Sequence, residues 1–179
     1  VSYDPLADRW VLAQFNGANS LCFAVSTTAN PLGTYAVYAF STTDFPDYFK
    51  IGVWPDGYYV STNEANYNAW AFDRVKMLQG LVAGSIKATG FAANFLMPAD
   101  VDGIVAPPPG APAIYYTFLD NSFHGGTDRL ELRAFDVNWV TPALSTFTTI
   151  GSPAVAAFTY TVCGFFNLSC ASQPGTGQQ

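Results

Sequence analysis

The sequence predicts an all-β fold, built as about three β-propeller blades of four antiparallel strands each, which form part of a larger ring. Apolar and polar residues alternate, with many Tyr, Phe, Val and Thr, over nearly the whole chain of 179 residues, and this pattern is typical of strands. A similar order of strands also occurs three times, at intervals of roughly 50–60 residues. Because propellers close with about four to eight blades, three blades would leave the ring incomplete.

The three repeats share one order of apolar strands. The first strands of the pattern are Trp10–Asn16, Tyr58–Asn63 and Tyr115–Asp120. The second strands are Leu21–Ser26, Ala69–Asp73 and Leu132–Asp136, and the third strands are Thr34–Phe40, Ser85–Phe91 and Ser145–Ile150. We therefore place blades at residues 1–43, 44–95 and 96–152, followed by the start of a further strand or blade, and a flexible tail at 172–179.

Local signals add a hairpin, a short helix and a stiff loop. The segment Trp54-Pro-Asp-Gly57 is expected to join a strand at Lys50–Val53 to the strand that follows it. Asp73–Gly80 predicts one or two helical turns, with Asp73 as the N-cap and Gly80 at the end. The proline-rich stretch Ala106–Pro112 fits an interdomain linker or a rigid crossing loop within one domain, and repeat strands on both sides favour the loop.

Composition narrows the class of function. Charged residues make up 11% of the chain and the net charge is −6, so the sequence offers no basic surface for nucleic acid. Its apolar runs fall short of the ~20 residues that a membrane-spanning helix requires. Few lysines, many Ser, Thr, Asn, Gly and Tyr residues, and an acidic pI are typical of a secreted, extracellular β-protein.

Cysteine use is consistent with an oxidising compartment. Cys163 and Cys170 enclose six residues near the end of the chain, which predicts a local disulfide; two reduced, packed thiols are the alternative. Cys22 lies within an apolar strand, where it is either a buried small hydrophobe or half of a bridge to a partner outside this chain.

Several segments resemble a family of large secreted bacterial β-propeller-like proteins of poorly defined function. The most specific is Phe45-Pro-Asp-Tyr48 followed by Gly52-Val-Trp-Pro-Asp-Gly-Tyr-Tyr59; the others are Ala71–Leu78, Phe123–Leu132 and Gln173–Thr176. The resemblance implies that the chain is the first part of a longer propeller, because family chains continue into further propeller-like sequence. Family members tend to carry a cysteine near the position of Trp70, a possible partner for Cys22; none stands here, which implies that Cys22 is unpaired.

Charged and aromatic residues before and after one predicted inner strand are the first candidates for ligand binding. Asp44, Asp47 and Lys50 precede this strand of the middle blade, where propellers usually bind ligands, and could hold a sugar or supply acid and base. Trp54 could stack on a sugar face, although tryptophans at corresponding positions favour packing. Turn formation is the simpler role for the aspartates.

Two further candidates lie in the third repeat. Asp100 and Asp102 are spaced for a hard cation such as calcium, or else they form a solvated turn; no other cofactor is expected. His124 is the one histidine of the chain, which argues against a multi-histidine metal site and against a Ser-His-Asp triad. A ligand contact or a catalytic role is weighed against loop hydrogen bonding, which is the simpler role.

These observations favour an extracellular, non-catalytic binding module for a glycan or protein, completed by the remaining blades of a parent protein or by a second chain. One alternative is an incomplete carbohydrate-active hydrolase, which requires a pair of carboxylates beside the scissile bond. Another is a structural surface protein that assembles through the edges of its blades. Catalytic residues are not identifiable from the sequence.

Overall fold

A computed structural model describes residues 1–17, 19–65, 67–88 and 95–159. The chain is mostly β and forms three four-stranded antiparallel sheets, each a simple meander. Sheet A contains β1 (Ser2–Asp4), β2 (Arg9–Phe15), β3 (Ser20–Ser26) and β4 (Tyr35–Ser41). Sheet B contains β5 (Lys50–Val53), β6 (Gly57–Asn63), β7 (Tyr67–Asp73) and β8 (Ser85–Ala88). Sheet C contains β9 (Met97–Pro98), β10 (Ala113–Leu119), β11 (Arg129–Asp136) and β12 (Thr146–Gly151).

The helices are short. Helix α1 covers Arg74–Leu78, helix α2 covers Asn121–His124, and a 3-10 turn covers Pro142–Leu144. The predicted helix after Asp73 is confirmed, because the Asp73 side chain accepts a hydrogen bond from the Lys76 N–H at 3.1 Å. The predicted hairpin is also confirmed, since β5 pairs with β6 across residues 54–57.

The expectation of repeated four-stranded antiparallel sheets is confirmed, whereas the closed propeller stays a prediction. No sheet closes on itself within the described ranges. The predicted strand Ser85–Phe91 extends into residues 89–94, which lie outside those ranges, as do the Cys163–Cys170 disulfide and the 172–179 tail. Cys22, the cysteine that the structure does describe, is a half-buried free thiol.

Sheet B lies between sheets A and C, and a separate hydrophobic core fills each interface. Successive side chains of a strand point to opposite faces, so Tyr58 and Val60 pack toward sheet A while Tyr59 packs toward sheet C. The A–B core includes Val11, Leu21, Phe23, Val25, Val53, Trp70, Phe72 and Met77. The B–C core includes Trp54, Ala69, Ala71, Leu96, Ala113, Tyr115 and Phe135.

A buried carboxylate joins sheet A to sheet B. Asp4, which has no exposed surface, accepts hydrogen bonds from Arg74 Nε at 2.6 Å and Nη2 at 2.9 Å. The Tyr58 hydroxyl donates to the same side chain at 2.9 Å, and the N–H groups of Leu6 and Ala7 donate at 3.1 Å each. All of these donors compensate for burial of the charge, as a buried ion pair requires.

A second buried carboxylate fixes the connection between β4 and β5. Glu64 accepts hydrogen bonds from Thr62 Oγ1 at 2.8 Å, Trp70 Nε1 at 2.9 Å and the Thr43 N–H at 3.0 Å, and Lys87 Nζ lies 3.6 Å away. Burial alone raises the pKa of Glu64, but the Thr62 and Trp70 hydrogen bonds and the Lys87 charge outweigh it and hold that pKa below its ordinary value.

Strand β5 approaches sheet C closely, and a glycine permits the approach. A Cβ atom on Gly52 would lie 2.4 Å from the Ala99 carbonyl oxygen. Directly after this point, Val53 N–H donates to Asp100 Oδ1 at 2.7 Å and Trp54 Nε1 donates to the Ala99 carbonyl at 2.8 Å. The backbone of sheet B is therefore held directly against the start of sheet C.

Candidate functional site

A cleft of about 420 Å³ opens between sheets B and C. One side is the turn between β5 and β6, and the other is the proline-rich loop before β10 together with the end of β11. The lining residues are Pro55, Asp56, Tyr59, Ala106–Pro112, Phe135, Asp136, Val137 and Trp139. This volume lies within the range of roughly 300–1,000 Å³ that is usual for ligand pockets.

Asp56 organises the floor of the cleft. Its Oδ2 accepts a hydrogen bond from the Tyr59 hydroxyl at 2.9 Å and another from Trp139 Nε1 at 3.1 Å. Trp139 lies in the loop that joins β11 to β12 of sheet C, so the carboxylate links the two sheets across the cleft. Burial and the nearby Asp56 charge raise the pKa of Tyr59, so the tyrosine acts as a neutral hydroxyl donor at ordinary pH.

The local sequence explains why Asp56 stands at this point. Trp54 N–H donates to the Gly57 carbonyl at 3.0 Å, which closes the turn that carries Pro55 and Asp56. Arg74 Nη1 donates to the Pro55 carbonyl at 2.8 Å and holds the turn against helix α1. A Cβ atom on Gly57 would lie 2.8 Å from the Tyr59 ring, so glycine leaves the space that this ring occupies.

The proline-rich loop forms the opposite wall. Its three consecutive prolines, Pro107–Pro109, are followed by Gly110 with φ +78 and by a turn in which Ala111 N–H donates to the Pro108 carbonyl at 3.0 Å. Proline has a fixed φ and no N–H group, so this wall is stiff and presents ring surface and carbonyl oxygens. Asp136, at the end of β11, places an exposed carboxylate at the rim.

The chemistry of the cleft is therefore aromatic and hydrogen-bond accepting. None of its described lining residues is a lysine, arginine or histidine. The cleft suits a ligand with apolar faces and hydroxyl or cationic donors, and it does not suit an anion. A carboxylate at the floor and another at the rim would orient such a ligand against the Trp139 ring.

The structure places Asp44 and Asp47 in the connection from sheet A to sheet B and Lys50 at the start of β5, all outside the cleft. Asp47 Oδ1 accepts from the Tyr48 N–H at 2.9 Å, and Lys50 Nζ lies 3.7 Å from the centre of the Tyr48 ring. The ion pairs found within the described ranges do not include Asp44, Asp47 or Lys50.

Trp54 and Asp100 have structural partners. Trp54 is buried, and its ring meets the Tyr59 ring edge-on with centroids 6.5 Å apart, which places it behind the floor of the cleft. Burial raises the pKa of Asp100 even though the Val53 N–H opposes the shift. Among the residues that the structure describes, no cluster of three or more His, Cys, Asp or Glu side chains could hold a metal ion, and calcium at Asp100 and the exposed Asp102 stays a prediction.

His124 lies at the end of helix α2, with Nδ1 3.2 Å from Oδ1 of the buried Asp120. Asp120 is the N-cap of that helix and accepts from the Phe123 N–H at 3.2 Å. The Ser122 hydroxyl donates to the other oxygen of Asp120, and this bond lowers the pKa of the carboxyl. The serine therefore bonds to the carboxylate, which is not the order of a Ser-His-Asp triad.

Sequence reasoning did not assign Asp56, Trp139 or Asp136 to a site. The sequence predicts only a turn for Trp54-Pro-Asp-Gly57, and it predicts packing for tryptophans at corresponding positions. One usable signal was the repeated Ala-Phe-Asp segment: its first aspartate, Asp73, caps helix α1, whereas its second, Asp136, starts no helix and stands exposed at the rim.

Comparison with protein-family models, curated proteins and solved structures gave no significant match. The described ranges also contain no helix that is both long and apolar enough to cross a bilayer.

Proposed function

We propose that this protein is an extracellular, non-catalytic binding module that holds a glycan in the cleft between sheets B and C. The observation that supports it is the meeting of the Trp139 ring with the Asp56 and Asp136 carboxylates in one concave site. A sugar ring has an apolar face that packs on an aromatic ring, and its hydroxyl groups donate to carboxylates and carbonyls.

A binding role accounts for Asp56 better than a hydrolytic role does. Glycoside hydrolysis needs two carboxyl groups that face the scissile bond, one as acid and the other as base or nucleophile. Asp56 Oδ2 already accepts from the Tyr59 hydroxyl and the Trp139 N–H, so this oxygen holds the floor of the cleft together. A secreted carbohydrate-active hydrolase remains the second candidate, with Asp136 as its free carboxylate.

The three stacked sheets support a place for this module in a larger propeller. Sheet B uses one face against sheet A and its opposite face against sheet C, which is how successive blades pack. The cleft then lies where two adjacent blades diverge, and the loops of further blades would extend it.

Binding can be tested by screening the 179-residue chain against a panel of neutral and N-acetylated oligosaccharides, with isothermal titration calorimetry on the best ligand. We expect Trp139→Ala to weaken the affinity at least about tenfold, which is about 1.4 kcal/mol. Asp136→Asn should weaken it by a smaller factor, and the matched control Asp47→Asn, an exposed carboxylate outside the cleft, should leave it unchanged.

Two results would contradict the proposal. Equal affinity of the native chain and Trp139→Ala, with both folded by circular dichroism, would show that the ligand binds elsewhere. Release of reducing ends from the same oligosaccharides, abolished in Asp136→Asn, would instead establish the hydrolase.

A further inference from the structure

Sheets A and C each have one face that no other described sheet covers. On sheet A, Val11 packs toward sheet B, so the neighbouring residues Trp10 and Leu12 point to the opposite, outward face. Ala24 of β3 and Val37 of β4 pair side by side with Leu12 and point outward with it. Leu12 is 37% exposed and Val37 is 73% exposed. Apolar faces of this kind on a soluble protein usually mark an interaction surface.

The uncovered face of sheet C is also apolar. Tyr115 packs toward sheet B, so Tyr116 and Phe118 point outward, opposite Leu132 and Leu130 of β11. Phe118 is 48% exposed. Among the described residues that follow β12, Phe158 contacts this face, with its ring centroid 6.0 Å from that of Phe118.

Backbone pairing distinguishes the two faces of each sheet. In an antiparallel strand, residues that hydrogen-bond one neighbouring strand point to one face, and the alternate residues point to the other. At the end of β3, Thr27 N–H donates to the carbonyl of Thr34, the residue before β4, at 2.9 Å. Phe23 lies four residues earlier, so it also hydrogen-bonds β4, and its side chain faces sheet B. At the end of β7, Asp73 N–H donates to the carbonyl of Gly84, the residue before β8, at 3.0 Å. Ala71 lies two residues earlier, so it also hydrogen-bonds β8, and its side chain faces sheet C.

In each sheet, the third-strand residues that hydrogen-bond the fourth strand point to one face. We call this face the front of the sheet and the opposite face its back. The front of sheet A packs on the back of sheet B, and the front of sheet B packs on the back of sheet C. In sheet C, Ala99 N–H bonds to the Ile114 carbonyl at 2.7 Å, so Ile114 pairs with β9 and Tyr115 pairs with β11. Leu132 then pairs with β12, which makes the uncovered face of sheet C a front.

The uncovered face of sheet A is a back, because Ala24 pairs with β2 rather than with β4. The described chain thus carries an open back at one end and an open front at the other. These are the two kinds of face that already pack together twice within it.

We propose that two copies of this chain associate head to tail, with the front of sheet C in each copy on the back of sheet A in the other. A second copy is the occupant because it supplies both complementary faces at once. Two reciprocal contacts would close a ring of six sheets, and a heterologous contact of this kind forms a ring when its rotation closes. Six lies within the usual range of about four to eight blades.

The area that this association would bury suits a stable dimer. The strands of sheet A contain three, seven, seven and seven residues, and those of sheet C contain two, seven, eight and six. With ~3.3 Å per residue and ~4.8 Å between strands, the face of sheet A measures about 380 Å² and that of sheet C about 360 Å². Two faces of each kind, in two contacts, give about 1,500 Å², within the range of roughly 1,200–2,000 Å² that is typical of stable interfaces.

Sedimentation velocity on the native chain and three variants tests the inference. Val37→Asp places a charge on the back of sheet A, and Phe118→Asp places one on the front of sheet C. The control Val82→Asp changes an equally apolar residue, 94% exposed, in the loop before β8. We expect the native chain and the control to have twice the chain mass of 19.2 kDa, and each face variant to have the single mass.

An equimolar mixture of Val37→Asp and Phe118→Asp should recover a dimer, because one undamaged front and one undamaged back remain. A monomeric native chain at the highest attainable concentration would overturn the inference. So would a dimer of either face variant alone, which would indicate a symmetric contact, or a monomeric mixture. Circular dichroism establishes that each variant is folded, and none of these changes touches the glycan cleft, so this test and the binding test fail independently.

Discussion

Replacement of Gly52 by alanine tests whether the close approach of sheets B and C is required. The added Cβ would lie 2.4 Å from the Ala99 carbonyl oxygen and 3.1 Å from the Pro98 Cβ. The nearest obstacle is backbone, which cannot rotate away as a flexible side chain can. Strand β5 and the start of sheet C would therefore have to separate.

The cost follows from what this separation disturbs. Overpacking of a well-packed site costs about 1–3 kcal/mol. The Val53–Asp100 and Trp54–Ala99 hydrogen bonds lie beside the clash at 2.7 and 2.8 Å, and each contributes about 1 kcal/mol. We therefore expect Gly52→Ala to lower the free energy of unfolding by about 3 kcal/mol, a large part of the ~5–15 kcal/mol that is typical of a folded domain.

Urea unfolding followed by tryptophan fluorescence measures this effect, because Trp54 and Trp70 are buried. With a denaturant slope of about 2 kcal/mol/M, the midpoint should fall by about 1.5 M. Gly84→Ala is the matched control, since nothing lies within 4 Å of its Cβ position, and it should change stability by no more than ~0.5 kcal/mol. Equal midpoints for the two variants would refute the reasoning.

Two further predictions concern the buried carboxylates. Asp4→Asn leaves the Arg74 charge buried without its partner and should cost about 3–5 kcal/mol in urea unfolding, whereas Tyr58→Phe should cost only about 1 kcal/mol; similar values would show that the ion pair is unimportant. Glu64 has a lowered pKa when folded, so its stabilisation is complete above the unfolded value of about 4.5 and declines as pH falls through the folded value. The melting temperature of Glu64→Gln should therefore fall less between pH 6 and pH 2 than that of the native chain. Parallel curves of melting temperature against pH for the two proteins would contradict this.

Features of the fold that depend on neighbouring residues were predictable from the sequence. Alternation located the longer strands but not the short edge strands β1 and β9, Asp73 marked the start of helix α1, and Trp54-Pro-Asp-Gly57 marked the hairpin. Each of these signals acts over a few residues. The site was not predictable in this way. Asp56 and Trp139 are 83 residues apart and Asp4 and Arg74 are 70 apart, so only the packing of whole sheets brings them together. Asp44, Asp47 and Lys50 were selected by their position before a strand, which does not determine where loop side chains point.

The position of sheet B between two cores has a consequence for how the chain unfolds. Strand β6 is buried along almost its whole length, with alternate residues belonging to different cores. Loss of either outer sheet would expose one apolar face of sheet B and weaken the packing of sheet B against the other outer sheet. Sheets A and C are thus thermodynamically coupled through a shared neighbour, and native-state hydrogen exchange should show amides of β3 and β10 opening together, in one cooperative event.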